Sequence, residues 1–270
     1  MRILISNDDG IDAPGLKALV QVIASKHDVY VVAPDRERSA TGHALTLHHP
    51  LRVEKMPDDF FPMARAAYAI DGTPTDCVKI ALNKILDFKP DWVLSGINHG
   101  PNMGADILYS GTVSAAMEGA IYGIRSIAFS ISEYRVDLFE EPASYIPTLL
   151  DRINTGALLL PPKTIFNVNI PVHTKVRGYA LTRLGARMYN DSYDERQDPR
   201  GKNYYWLSGD LLESDNDPDS DVIKTREGFV SVTPVTFEMT NYHLIQEFQT
   251  LLDDTGTTSA KVIKTDKVQT

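Results

Sequence analysis

The chain has 270 residues, 43% of them hydrophobic and 23% charged, and its formal net charge is −9 at pH 7. These values are typical of a globular protein with one large core. The acidic balance, without any Lys/Arg run, argues against binding to nucleic-acid polymers or anionic membranes. The single cysteine, Cys77, excludes an intrachain disulfide and a cysteine-rich zinc site, and we expect it to be a small core residue.

The first 172 residues alternate between strand-like and helix-like runs. The strand-like runs are RILIS, DVYVVAP, LTLHHPLRVEKM, AAYAI, DWVLS, SIAFSIS and TIFNVNIP. The helix-like runs are PGLKALVQVIASK, TDCVKIALNKIL, GTVSAAMEGAIYG and PASYIPTLLDRI, the second with Thr75 or Asp76 as N-cap. Such alternation, with continuous apolar strands, predicts an α/β fold in which a mostly parallel sheet has helices on both faces.

The pattern changes after about Pro171. RGYALTRLG, NYYWLSG and GFVSVTPV are strand-like without helices between them, and TNYHLIQEFQTLLDD predicts one late helix. The polar stretches MYNDSYDERQDPRGKN and ESDNDPDSD predict loops, a protruding hairpin, or an arm that packs on another subunit. We therefore divide the chain into a core of residues 1–172, which carries the site, and a β-rich C-terminal extension of residues 173–270. We expect the extension to serve oligomerisation and to pack partly back on the core.

The chain start leads directly into an apolar strand, without a signal-like region or a spanning segment. We therefore expect cytoplasmic localisation and no membrane partner.

Two adjacent acids, Asp8 and Asp9, follow the first predicted strand in the stretch SNDDG. A turn or helix cap is the ordinary interpretation of such residues. However, ligands of open parallel sheets bind beyond the carboxyl ends of the strands. Two carboxylates there repel each other unless a hard cation such as Mg²⁺ or Mn²⁺ lies between them. The position therefore favours a cation site.

The loop APDRERSATGHALT follows the second strand. Its charged residues are interpreted as a solvated loop. Ser39 becomes a hydroxyl ligand only if the loop folds back toward the two aspartates. His43 in this loop is more simply a loop hydrogen-bonding residue than a proton donor.

The third loop, SGINHGPNMGADILYSGTVSAAMEG, contains three glycines at four-residue spacing and two asparagines, Asn98 and Asn102. It ends in Ser110-Gly111-Thr112 at the start of a predicted helix. Free backbone N–H groups with two hydroxyls beside them suit a phosphate group. A turn-rich loop with an ordinary N-cap is the alternative, and His99 is equally well a proton donor or a loop hydrogen-bonding residue.

Several common motifs are missing from the sequence. There is no G-x-G-x-x-G, no G-x-x-x-x-G-K-[ST], no H-E-x-x-H and no G-x-S-x-G. An oxidoreductase with a dinucleotide cofactor is therefore disfavoured.

The order of NDDG, APDRERSATG, SGINHGPNMGADILYSGTVSAAMEG and SDVIKTREGFVSVTP resembles the SurE family of 5′/3′-nucleotidases, from residue 1 to about Pro234. The resemblance implies a Rossmann-like core and a C-terminal extension exchanged between subunits in homodimers or homotetramers. It also implies a divalent-metal-dependent acid phosphatase acting on nucleoside monophosphates, with short polyphosphate as a further substrate. By resemblance, the metal ligands are Asp8, Asp9, Ser39 and Asn98, and the phosphate-binding residues are Asn98, Ser110, Gly111 and Thr112.

Two departures from the family pattern stand out. Many relatives have Ser-Gly where this chain has Ser39-Ala40, which concerns the loop shape and substrate preference. The family's late Thr-Asp pair is Ser220-Asp221 here, and we expect this pair at a subunit contact.

The expected reaction is in-line attack of a metal-oriented water on the phosphoryl group, with Asp8, Asp9 and Asn98 as catalytic residues. A phospho-aspartyl intermediate is less expected, because enzymes of that type carry D-x-D after the first strand and this chain carries D-D-G. A non-catalytic sensor that binds metal and nucleotide is the alternative function.

Overall fold

A computed structural model of the protein describes residues 1–134, 139–156, 160–172, 175–245 and 248. The strands in these residues are β1 (Arg2–Ser6), β2 (Asp28–Pro34), β3 (Val53–Lys55), β4 (Ala66–Ile70), β5 (Trp92–Asn98), β6 (Arg125–Ile131), β7 (Thr164–Ile170), β8 (Gly178–Leu181), β9 (Arg187–Gln197), β10 (Asn203–Glu213) and β11 (Phe229–Thr236). The α-helices are α1 (Pro14–Ala24), α2 (Pro74–Ile80), α3 (Gly111–Ile121), α4 (Glu140–Ser144), α5 (Ile146–Asn154) and α6 (Asp221–Arg226).

Within the described residues, one large sheet has the strand order β3-β4-β2-β1-β5-β6-β7-β11-β8. The six strands from β4 to β7 in this order are mutually parallel. β3 joins one edge antiparallel to β4, and β11 pairs antiparallel with β7. The predicted mostly parallel sheet is therefore confirmed.

Helices cover both faces of this sheet, as predicted. Along β1, Ile3 and Ile5 pack in a buried cluster with α1 and α5, whereas Leu4 packs on the opposite face with α2 and α3. This alternation follows from the two-residue period of a strand. Cys77 lies fully buried in the second cluster, and burial raises the pKa of its thiol, as expected of a core residue.

Two helix predictions need correction. The N-cap of α2 is Thr73, two residues before the predicted start, because Pro74 occupies the first turn and Thr73 and Asp76 form a reciprocal capping box. The single helix predicted over PASYIPTLLDRI is two helices, α4 and α5, which meet at Tyr145. Pro147 has no N–H to donate to the preceding turn, so one continuous helix is disfavoured there.

The extended run before β4 is shorter than predicted, whereas the polar stretch after residue 186 does form one of the predicted alternatives, a hairpin. Of the extended run LTLHHPLRVEKM, only Val53–Lys55 forms a strand. The polar stretch after residue 186 forms a long two-stranded hairpin, β9–β10, paired antiparallel over its whole length. We call this hairpin the arm. It carries exposed apolar side chains, including Tyr193, Trp206 and Leu207.

The chain divides into a unit of residues 1–237 and a unit of residues 238–270. In the second unit, residues 242–245 form a helical turn, and the Asn241 side chain accepts the Leu244 N–H. The rest of the predicted late helix lies outside the described residues. No helix in the described part of the chain combines the length and the hydropathy needed to cross a membrane.

Candidate active site

The candidate site lies where the strand order reverses. β1 and β5 are neighbours, and the chain continues from β1 toward β2 and β4 but from β5 toward β6 and β7. The loops after β1 and β5 therefore diverge and leave a crevice at the carboxyl ends of these strands. Asp8 and Asp9 follow β1, and Asn98 ends β5. The structure thus places these three predicted residues at the switch point.

The turn after β1 is fixed by local contacts. The Asn7 side chain donates to the Gly10 carbonyl at 2.9 Å, and the Ile11 N–H donates to the Pro34 carbonyl at the end of β2. Gly10 has φ +99°, and a Cβ there would lie 2.9 Å from the Arg36 carbonyl carbon. Glycine therefore allows the two strand-end loops to touch.

Asp8 is buried, with 4% of its surface exposed. Its carboxylate accepts hydrogen bonds from both the hydroxyl and the backbone N–H of Thr112, at the start of α3. Burial and the negative charge of Asp9 raise the pKa of Asp8 to about 7, against the opposing effect of the Thr112 hydrogen bonds. A cation beside this carboxylate would remove that electrostatic cost.

Asp9 is partly buried and accepts the backbone N–H of His99 at 3.1 Å. Burial raises the pKa of Asp9 to about 6, and the Glu37 charge adds to the effect, while the hydrogen bond from His99 opposes it. The His99 ring lies between aromatic rings, 6.0 Å from the Tyr134 ring centroid and 6.1 Å from that of Phe139. His99 therefore contacts Asp9 through its main-chain N–H, whereas its ring packs near Tyr134 and Phe139.

The loop that carries Ser39 folds back toward the acid pair. The backbone N–H of Arg38 donates to the Asp8 carbonyl at 2.7 Å, so the neighbouring residue Ser39 lies near the crevice. Ser39 is exposed, and its hydroxyl donates to Glu37 at 2.7 Å. Reorientation of this hydroxyl toward the carboxylates would therefore break the contact with Glu37.

The start of α3 lies directly against Asp8. The Ser110 hydroxyl oxygen accepts the Val113 N–H at 3.1 Å and caps the helix. A Cβ on Gly111 would be 2.7 Å from the Asp8 Cβ, so only glycine allows this approach. The predicted phosphate segment and the predicted metal ligands are thus neighbours in space.

The remaining predicted ligand, Asn98, is half-buried at the end of β5. Its Nδ2 donates to the Gly100 carbonyl at 2.9 Å, which leaves Oδ1 as the atom suited to a cation. Two carboxylates, a hydroxyl and an amide oxygen form a donor set that fits Mg²⁺ or Mn²⁺. The described residues contain no group of three or more His, Cys, Asp or Glu side chains that could hold a metal.

The long loop is braced by an amide network. The Asn102 N–H and carbonyl both bond to Asn169, the Asn102 side chain donates to Ser130, and Asn167 donates to the Asn102 carbonyl. Asn102 is buried in this network. It therefore acts as a structural residue of the loop.

Residues around 185 and 221 clasp the segment before Ser110. Asp221, fully buried, accepts the N–H groups of Gly104 at 3.1 Å and Gly185 at 2.8 Å. Arg187, the first residue of the arm, pairs with Asp106 at 2.9 Å, and both side chains are largely buried. Ser220-Asp221 was expected at a subunit contact; both residues are instead fully buried within the chain.

A buried carboxylate on α3 was not identified from the sequence. Glu118 pairs with His43 Nε2 at 2.8 Å and Lys79 Nζ at 2.9 Å. This pairing ties the Ser39 loop to α3 and gives His43 the role of a loop hydrogen-bonding residue. Partners 75 and 39 residues away leave no local spacing signal that could have predicted the cluster.

The fold and this crevice define a doubly wound α/β protein with an oxygen-rich acidic site at its switch point. The family model "Survival protein SurE" matches residues 3–191, and the chain belongs to this family. It is 48% identical to a "5'-nucleotidase SurE" of Pelotomaculum thermopropionicum, over 93% of this chain and 95% of that protein. Another "5'-nucleotidase SurE", of Heliobacterium modesticaldum, is 45% identical, over 100% of this chain and 98% of that protein.

A solved structure gives the same picture. The crystal structure of the SurE protein from Aquifex aeolicus superposes with a TM-score of 0.80 at 40% identity, covering 94% of this chain and 100% of that one. The recognition of the family and the Rossmann-like fold are therefore confirmed.

Proposed function

We propose that this phosphoric monoester hydrolase releases inorganic phosphate from nucleoside monophosphates, using one divalent cation per subunit. The observation that best supports the proposal is the contact between Asp8 and the start of α3, because it brings the proposed cation site next to the proposed anion site. The names of the two curated relatives point to the same substrate class.

Asp8, Asp9, Ser39 and Asn98 would hold Mg²⁺ or Mn²⁺. When bound, the cation would orient and acidify a water molecule and neutralise charge on the phosphoryl group. The chain itself positions these donors through Thr112 on Asp8 and through the backbone N–H of His99 on Asp9. One of the two aspartates accepts the proton of the attacking water.

The phosphate group would bind at the start of α3. The Ser110 hydroxyl and the Gly111 N–H are donors beside the positive end of the helix, and Asn98 would supply a further donor. Thr112 would join them by exchanging its bond to Asp8 for one to the phosphate. Donors fixed before the substrate arrives stabilise the transition state without reorganisation. Catalysis is then assigned to Asp8, Asp9 and Asn98.

The exposed apolar side chains of the arm support assembly into a homodimer or homotetramer. Trp206 is 59% exposed and Leu207 is 63% exposed, which is costly for a free hairpin in water. We expect light scattering to give the mass of two or four chains. The proposed setting is the cytoplasm.

A phosphate-release panel tests the function. The purified chain is incubated with 5′- and 3′-nucleoside monophosphates and a short polyphosphate, each with Mg²⁺, Mn²⁺ or a chelator. Release from nucleotides that requires the cation supports the proposal, and release from polyphosphate would add the second activity. Chelator-insensitive release would contradict the metal site. Nucleotide binding without any release would favour the sensor.

A further inference from the structure

An open cavity of about 560 Å³ lies beside the candidate site, between the glycine-rich loop and the root of the arm. Its lining includes Pro101, Tyr134, Arg187, Tyr189, Asp210 and Leu211. This volume falls within the range of cavities that hold small organic ligands, about 300–1,000 Å³. The cavity therefore has the size that a nucleoside needs.

The cavity is connected to the catalytic loop through Tyr134. A Cβ on Gly100 would be 2.3 Å from the Tyr134 ring, so the ring packs directly on the loop backbone. The Gly100 carbonyl accepts from Asn98, and the adjacent His99 N–H donates to Asp9. A substrate with its phosphate near Asn98 therefore extends naturally toward Tyr134.

Two tyrosine rings, Tyr134 and Tyr189, lie in the wall of the cavity. Arg187 Nη2 donates to the Tyr189 hydroxyl at 3.4 Å. Tyr134 is 67% exposed and Tyr189 is 44% exposed, so both rings present aromatic surface of the kind on which nucleobases stack.

We propose that this cavity is the nucleoside subsite of the enzyme, with the base stacked on the Tyr134 ring and the ribose near Asp210. The inference rests on the proposed function. The carboxylate of Asp210 accepts hydrogen bonds from ribose hydroxyls, and it repels additional phosphate groups at this end of the ligand. The subsite therefore favours a neutral nucleoside end joined to a single phosphate.

The test compares adenosine 5′-monophosphate with ribose 5-phosphate, which has the same phosphate and sugar but no base. In the native enzyme, kcat/KM should be at least about fivefold higher for the nucleotide, as expected for one base–aromatic stack. Tyr134→Ala should remove this preference, because it should lower kcat/KM for the nucleotide, through KM, at least about fivefold more than kcat/KM for ribose 5-phosphate. Tyr134→Phe should retain the preference.

Tyr193→Ala is the matched control, because Tyr193 lies on the same arm strand as Tyr189 but outside the cavity lining. If Tyr134→Ala does not fold, Tyr189→Ala and protection of residues 132–134 from hydrogen exchange by adenosine take its place. An unchanged preference in the folded variant, or no protection, overturns the subsite. Absence of hydrolysis of both substrates by the native enzyme instead overturns the proposed function.

Discussion

Thr112 donates its hydroxyl to the carboxylate of Asp8 across 104 residues of sequence. This bond joins the first turn of α3 to the turn after β1, so it couples the proposed phosphate segment to the proposed metal ligands. Both partners are buried, and water does not readily replace the bond if it is lost.

Replacement of this hydroxyl should therefore affect stability and activity together. For Thr112→Val we expect a loss of about 1–3 kcal/mol in the free energy of unfolding, because a buried acceptor loses its donor. We also expect kcat/KM to fall by about 10- to 100-fold, as the carboxylate is no longer held in place. Denaturant unfolding and phosphate release measure the two effects.

Thr112→Ser should keep most of the native free energy of unfolding and most of kcat/KM, because serine also has a hydroxyl. Thr75→Val is a matched control: Thr75 is also buried in the first turn of a helix, and its hydroxyl has no hydrogen-bond partner within the described residues. A Thr112→Val variant as active as Thr75→Val would contradict the coupling.

Removal of the negative charge at Asp8 should separate stability from function. Burial and the charge of Asp9 disfavour the ionised Asp8 side chain when no cation is present. In chelator, the free energy of unfolding of Asp8→Asn should therefore exceed that of the native protein by roughly 1–3 kcal/mol, and its melting temperature should be correspondingly higher. The same variant should lose phosphate release, because a metal ligand is gone.

Mn²⁺ gives the internal control for this variant. The native protein should gain thermal stability on addition of the cation, since binding to the folded state shifts the unfolding equilibrium. Asp8→Asn should gain much less. Equal stabilisation of both proteins by Mn²⁺ would show that Asp8 is not a ligand.

The position of this site was predictable from the sequence, whereas its bracing was not. The loops that carry Asp8, Asp9 and Asn98 could be placed together because strand alternation and the rule for carboxyl ends need only local patterns, whereas the choice of Asn98 over Asn102 came from the family resemblance. The Thr73 cap does have a local signal, because Asp76 lies three residues later and the two residues form a capping box. Pairs such as Asp221 with Gly104, 117 residues apart, depend on tertiary packing that no local pattern encodes.

The ion pair at the arm root should hold the segment that precedes Ser110. Arg187 and Asp106 pair in a largely buried environment, so removal of one partner leaves an uncompensated charge. We expect Arg187→Met to cost about 3–5 kcal/mol in unfolding free energy, and to weaken inhibition by inorganic phosphate because the helix start is displaced.

Arg183→Met is the control for that variant. Arg183 pairs with Asp217 at the surface of the same region, and exposed pairs contribute about 0–1 kcal/mol. Chemical denaturation and phosphate inhibition constants compare the two variants. Similar small effects in both variants would mean that the Arg187–Asp106 ion pair does not hold the start of α3 in place.

The Glu118 cluster should make stability depend on pH in the acidic range. Burial alone would raise the pKa of Glu118, but the hydrogen bonds from His43 and Lys79 outweigh it and hold the pKa below the ordinary value of 4.5. A lowered pKa in the folded state means that the unfolded chain binds the proton more tightly. The stabilisation is therefore complete above the unfolded value and is lost as the pH falls through the folded one.

We expect Glu118→Gln to lower the melting temperature at pH 7 and to differ progressively less from the native protein below about pH 4. Glu227→Gln serves as a control, since Glu227 forms only a partly exposed pair with Lys224 and its replacement should have little effect at any pH. Calorimetry from pH 3 to pH 7 measures both variants. A Glu118→Gln deficit that stays constant over this range would mean that the carboxylate contributes through its shape rather than its charge.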